Sequence, residues 1–91
     1  MIWRVEFMEK KLVGKVKHFF GKIGVAVVEL TGDLRSGERI SIEGPAGVAE
    51  QIVSSMQINK EAVEKAGRGQ SIGLKVDSRV KEGDVVYVLS V

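Results

Sequence analysis

One nine-residue pattern occurs three times in this chain and constrains its fold more than any other feature. The pattern runs apolar, any, any, Gly, polar, any, apolar, any, apolar. It reads Leu34-Arg35-Ser36-Gly37-Glu38-Arg39-Ile40-Ser41-Ile42, then Ala66-Gly67-Arg68-Gly69-Gln70-Ser71-Ile72-Gly73-Leu74, then Val80-Lys81-Glu82-Gly83-Asp84-Val85-Val86-Tyr87-Val88. Each copy predicts a tight turn that feeds a strand. Glycine takes the backbone position that needs positive φ, and the apolar residues behind it alternate with period two. Three strands launched this way point to a small barrel or sandwich. Their irregular spacing argues against a solenoid. The pattern governs architecture and carries no chemistry of its own.

The rest of the chain fits one domain, residues 1–91. With 44% hydrophobic residues it has material for a single modest core, and a chain of this size buries roughly 60–65% of its unfolded surface. Cysteine is absent, which excludes disulfides and thiolate metal sites. His18 is the one histidine, so a multi-histidine metal site within the chain is excluded too, and no cofactor is expected. The pI of about 9.0 overstates the charge, because the net charge is only +2. Local charge is more informative. From Lys10 to Val28 there is no acid, yet Lys10, Lys11, Lys15, Lys17 and Lys22 all fall there.

No apolar run approaches the roughly 18–20 residues of a membrane span. The start, Met1-Ile2-Trp3-Arg4-Val5-Glu6, lacks the plan of a signal peptide. A cytoplasmic protein without a membrane partner is therefore expected. A single Asn, no Cys and plentiful Lys, Arg and Glu match the composition of a thermophile.

Along the chain, Trp3, Val5 and Phe7 share one face of an expected opening strand. A second alternating run reaches Phe20, with Leu12, Val16 and Phe20 on one face and Val13, Lys15, Lys17 and Phe19 on the other. Glycines bound the loop at residues 21–24. Val25-Ala26-Val27-Val28-Glu29-Leu30 is apolar on both faces up to Glu29 and is expected to lie centrally. The only proline, Pro45, marks a connection. Residues 48–58 predict a strand with a bulge or register change. Residues 59–66 have helical character: Asn59 reads as an N-cap, Glu61 and Glu64 suit the first turns, and Ala62, Val63 and Ala66 form a thin apolar stripe. One short helix or helical turn is expected there.

The residues carry few chemical signals. Lys15 and Lys17 on one strand face, Lys22 on the adjoining loop and Phe19 or Phe20 beside them could track phosphates and stack on a base. The alternative is an edge strand guarded by lysines against aggregation. His18 has no carboxylate or nucleophile placed to work with it and reads as a half-buried structural residue on the Val16 face. Ser54 and Ser55 lack a partner for nucleophilic work. No phosphate loop is present, because Gly14 and Gly21-Lys22 are too widely spaced and Ile23 cannot ligate magnesium, so no nucleotide is expected. No catalytic acid–base pair is evident and no enzyme is expected.

The order of motifs nevertheless resembles a known family. Gly14-Lys15-Val16, a glycine-bounded loop, an apolar strand, the first copy, Ser55-Met56-Gln57, the second copy and the closing Gly83-Asp84-Val85-Val86-Tyr87 follow in sequence. This series resembles the second domain of translational GTPases such as elongation factor Tu, and more closely the small archaeal translation elongation factor-like proteins. A similar barrel ends some collagenase-like peptidases. The resemblance implies an all-β fold, a closed Greek-key barrel of six strands of the translation-protein type. It implies a stand-alone binding module that contacts RNA or the ribosome electrostatically. A protein–protein interaction module without nucleic-acid binding is the alternative. Where the elongation-factor barrel has Gly-Arg-Gly-Thr, this chain has Gly21-Lys22-Ile23-Gly24-Val25, so general RNA contact is implied rather than a pocket for an aminoacylated tRNA end.

Overall fold

The computed structural model describes residues 9–90. The opening strand expected around Trp3, Val5 and Phe7 lies outside the described residues. All regular structure among those described is β. The strands are β1 (Glu9–Phe20), β2 (Val25–Leu30), β3 (Leu34–Arg35), β4 (Arg39–Gly44), β5 (Gly47–Ile52), β6 (Met56–Ile58), β7 (Glu61–Val63), β8 (Lys65–Ala66), β9 (Ser71–Lys75) and β10 (Val85–Ser90).

The three sequence copies build one turn three times. Gly37, Gly69 and Gly83 have φ of +93°, +88° and +93°, the sign that position i+2 of a type II turn demands. In each copy the residue after glycine donates its backbone N–H to the carbonyl three residues back: Glu38 to Arg35 at 3.3 Å, Gln70 to Gly67 at 3.1 Å, Asp84 to Lys81 at 3.0 Å. The side chain of that same residue then accepts from the N–H of the residue it has just reached. Glu38 Oε1 takes Arg35 N at 2.7 Å, Gln70 Oε1 takes Gly67 N at 2.8 Å, and Asp84 Oδ2 takes Lys81 N at 3.0 Å. The polar position of the pattern is thus a clamp that closes the turn. The leading apolar residue of each copy, Leu34, Ala66 and Val80, is buried, as are Ile40, Ile72 and Val86 behind the glycines.

Eight strands form one antiparallel ladder in the order β5-β4-β10-β1-β2-β9-β6-β7, and β3 pairs with β8 in a separate two-stranded ribbon. As expected, β2 is internal, held between β1 and β9. Val13, Val16, Val28, Leu30, Leu34, Ile40, Ile42, Met56, Ile72, Leu74 and Val86 share one core, each fully buried side chain contributing roughly 1.5–3 kcal/mol.

Two expectations need correction. The ladder ends at β5 and β7 rather than joining on itself, so the closed six-stranded barrel is not what the hydrogen bonding shows. The cause lies at residues 53–55, where the chain leaves β4 and moves over to β9. The Gln51 side chain spans part of the gap: its Nε2 donates to Lys75 O at 2.8 Å and its Oε1 accepts from Asp77 N at 2.9 Å. This is also the break expected within residues 48–58. The helix expected at residues 59–66 is absent. Asn59 and Lys60 take φ of +52° and +67°, which makes a two-residue hairpin loop between β6 and β7, with Ile58 facing Glu61. Asn tolerates the left-handed region as readily as it caps a helix, and cross-strand pairing of Val63 with Met56 supplies burial that a short isolated helix would lack.

Candidate functional site

β1 carries most of the residues singled out above, and two bulges decide where they point. One falls between Leu12 and Gly14 against β10, the other between Val16 and His18 against β2. Up to Val16 the inward residue pairs with inward Val28. Past the bulge, Phe19 pairs with buried Ala26 while His18 and Phe20 pair with Val27 and Val25. Phe19 therefore packs against the core, and Phe20 is exposed, reversing the faces expected for the two rings. His18 also faces outward, opposite Val16. Its Nδ1 lies 3.1 Å from Glu82 Oε2, and its ring meets Phe20 edge-on at 4.4 Å.

Lys15, Lys17 and Lys22 are all exposed, and no ion pair among the described residues engages Lys15 or Lys22. Lys17 Nζ lies 3.7 Å from Glu29 on β2, and Lys10 Nζ lies 2.8 Å from Glu43 on β4. Acids from neighbouring strands thus reach two of the five lysines of this stretch. Nor is β1 a guarded edge, since it pairs with both β10 and β2.

A polar network on this side joins β1, β4 and β10. Lys10 binds both Glu43 oxygens, Ser41 Oγ donates to Glu43 Oε2 at 2.8 Å, and the Lys10 ammonium sits 5.0 Å from the Tyr87 ring centre. The Lys10 hydrogen bond, aided by Ser41, holds the Glu43 carboxyl below the ordinary carboxylate value. The bond to Glu43 in turn raises the Lys10 ammonium. The Ser41 hydroxyl is buried and donates its hydrogen bond to that carboxylate. This network joins three strands and offers no nucleophile.

Several clefts indent the surface. One of about 280 Å³ is lined by Asp33, Arg35, Lys65, Ala66, Gly67 and Gln70, where the first two sequence copies meet. A second of about 410 Å³ lies beside the edge strand β5, with Val48, Ala49, Arg79, Val80 and Lys81 on its wall. A third of about 270 Å³ holds Ser54 and Ser55 with Glu64 and no histidine. Among the described residues no group of three or more His, Cys, Asp or Glu is placed to hold a metal. No helix among them is long and apolar enough to cross a membrane.

No protein-family model matches the chain. It is 45% identical over 78 residues to an uncharacterized protease of Methanocaldococcus jannaschii, covering 85% of this chain and 19% of that protein. It is 38% identical over 81 residues to a collagenase of Porphyromonas gingivalis, covering 87% of this chain and 22% of that one. The chain thus spans about a fifth of the length of the curated relatives it matches. Among solved structures it superposes on the C-terminal domain of a Geobacillus thermoleovorans protein named as a U32 peptidase. The TM-score is 0.81 at 17% identity, over 86% of this chain and 91% of that domain. A selenomethionine variant of the same domain gives 0.79 at 18% identity, over 84% and 96%. The superposition shows a shared fold, and at such identities the fold alone.

These relatives correct the translation-factor reading, and with it the stand-alone module at RNA or the ribosome. Sequence likeness runs to proteins named as a protease and a collagenase, in keeping with the barrel that ends some collagenase-like peptidases. The motifs behind the elongation-factor resemblance are turns and strands, and a fold uses those whatever site is grafted onto it.

Proposed function

We propose that this chain is a non-catalytic β-module of the kind that accompanies U32-type peptidases, and that it acts by holding polypeptide. The observation that carries this is the pair of coverages: 85–87% of this chain matches only 19–22% of proteins named as a protease and a collagenase. A segment that small leaves room for a catalytic part elsewhere in those proteins. His18, the one histidine, lies against Glu82 and does not line the cleft that holds Ser54 and Ser55.

The test is incubation of the purified chain with fluorescently labelled gelatin. Raised anisotropy with no released fragments is the expected result. Fragment release would make the chain itself a peptidase, and unchanged anisotropy would remove the binding role.

A further inference from the structure

The cleft between the first two sequence copies contains an arrangement that the fold alone does not require. Arg35 and Lys65 are direct partners across the β3–β8 ribbon. Ser36 N donates to Glu64 O at 2.8 Å in the next pair along, so Arg35 and Lys65 occupy the narrow, non-hydrogen-bonded position where opposed side chains stand closest. Two cations face each other there, and like charges directly opposite are destabilising. No ion pair among the described residues engages either of them. Asp33 lines the same cleft without pairing to them; its Oδ1 lies against Gly67, 3.0 Å from where a Cβ would stand. The lining therefore carries two positive charges and one negative, around a concave space of about 280 Å³.

The clamp geometry keeps this cleft in place. Gln70 Oε1 is committed to Gly67 N and Glu38 Oε1 to Arg35 N. Two type II turns, each closed by its own side chain, hold the ends of β3 and β8 with the cations between them. Leu34 and Ala66, the inward pair of the ribbon, are buried and fix which face the cations present.

We propose that Arg35 and Lys65 bind a carboxylate of the polypeptide held by this module, its free C-terminal carboxylate in particular. This rests on the polypeptide-holding role proposed above. A guanidinium and an ammonium on one cleft wall offer donors for two carboxylate oxygens, the ligand's charge removes the repulsion between them, and Asp33 disfavours a more highly charged anion.

The experiment is calorimetric titration of the intact chain with an N-acetylated tetrapeptide, with the same peptide as its C-terminal amide, and with inorganic phosphate. Saturable heat is expected for the acid and none for the amide. Arg35→Gln and Lys65→Gln should each weaken binding by about tenfold or more, with Arg35→Lys retaining part of it. Without ligand, Lys65→Gln should melt at or above the parent temperature, because the cross-strand repulsion is gone. Equal binding of acid and amide, phosphate binding without peptide binding, or a lowered melting temperature with unchanged affinity would each overturn the proposal. Gelatin binding without tetrapeptide binding would sink this site and leave the module's role standing; the reverse result would do the opposite.

Discussion

The third turn and the first two are built alike and placed differently. All three share a positive-φ glycine, a backbone bond across three residues and a side-chain clamp on the same N–H. The first two copies face each other through β3 and β8, and the cations they bring together stay unneutralised. The third docks on the second bulge of β1: Gly83 N donates to Val16 O and Val16 N to Asp84 O, both at 2.8 Å. There the outward Glu82 carboxylate has a partner, His18 Nδ1 at 3.1 Å. A turn's internal chemistry thus decides that it forms, and its docking partner decides whether its outward side chains find partners.

The largest expected effect separates the clamps. Asp84 is 8% exposed, Glu38 is intermediate and Gln70 is exposed. Asp84→Ala should cost about 2–3 kcal/mol, Glu38→Ala about 1 and Gln70→Ala about 0.5, because water replaces a lost bond only where it can reach. Gly44 sharpens this further, since a Cβ there would collide with the Asp84 carboxylate. Gly44→Ala should therefore destabilise by displacing that clamp, and the double variant with Asp84→Ala should fall well short of the sum. Equal costs for the three clamps in denaturant unfolding would break the comparison.

The next effect should not separate the copies at all. Nothing lies within 4 Å of the Cβ position at Gly37, Gly69 or Gly83, so Ala at each meets only the backbone penalty, about 1–2 kcal/mol. One site costing far more than the others would show that the turns are not equivalent inside.

The smallest effect concerns β4, the strand launched by the first copy. The Glu43 carboxyl is lowered chiefly by its bond from Lys10. A group with a depressed folded-state pKa adds stability that is fully present above its unfolded value and is lost as pH falls through the folded one. The parent should thus exceed Glu43→Gln in stability at neutral pH. The gap should close on acidification to below the ordinary carboxylate range, and shrink with added salt. A gap that is independent of pH would assign Glu43 a packing role.

The turns were legible in the sequence because everything they need is local: glycine at one position, a polar residue after it, and period two behind. What needed distant partners was not. A single bulge residue, Lys17, exchanged the roles of Phe19 and Phe20, and no alternation pattern registers one extra residue. Lys10 and Lys17 looked unopposed because their acids, Glu43 and Glu29, reach them across strands. Asn59 fits both a helix cap and a left-handed loop, and the choice fell to the pairing of β6 with β7. The Arg35–Lys65 pair could not be seen before the register of β3 on β8 was known.

The most direct measurement of the account as a whole is amide-resolved magnetic resonance of the isotope-labelled chain during titration with gelatin. Saturable shifts should gather at residues 33–36 and 64–70, the third turn at residues 81–84 should stay quiet, and the gelatin should be recovered uncut. Shifts centred on Lys15, Lys17 and Lys22 or on the third turn, or gelatin recovered as fragments, would contradict it.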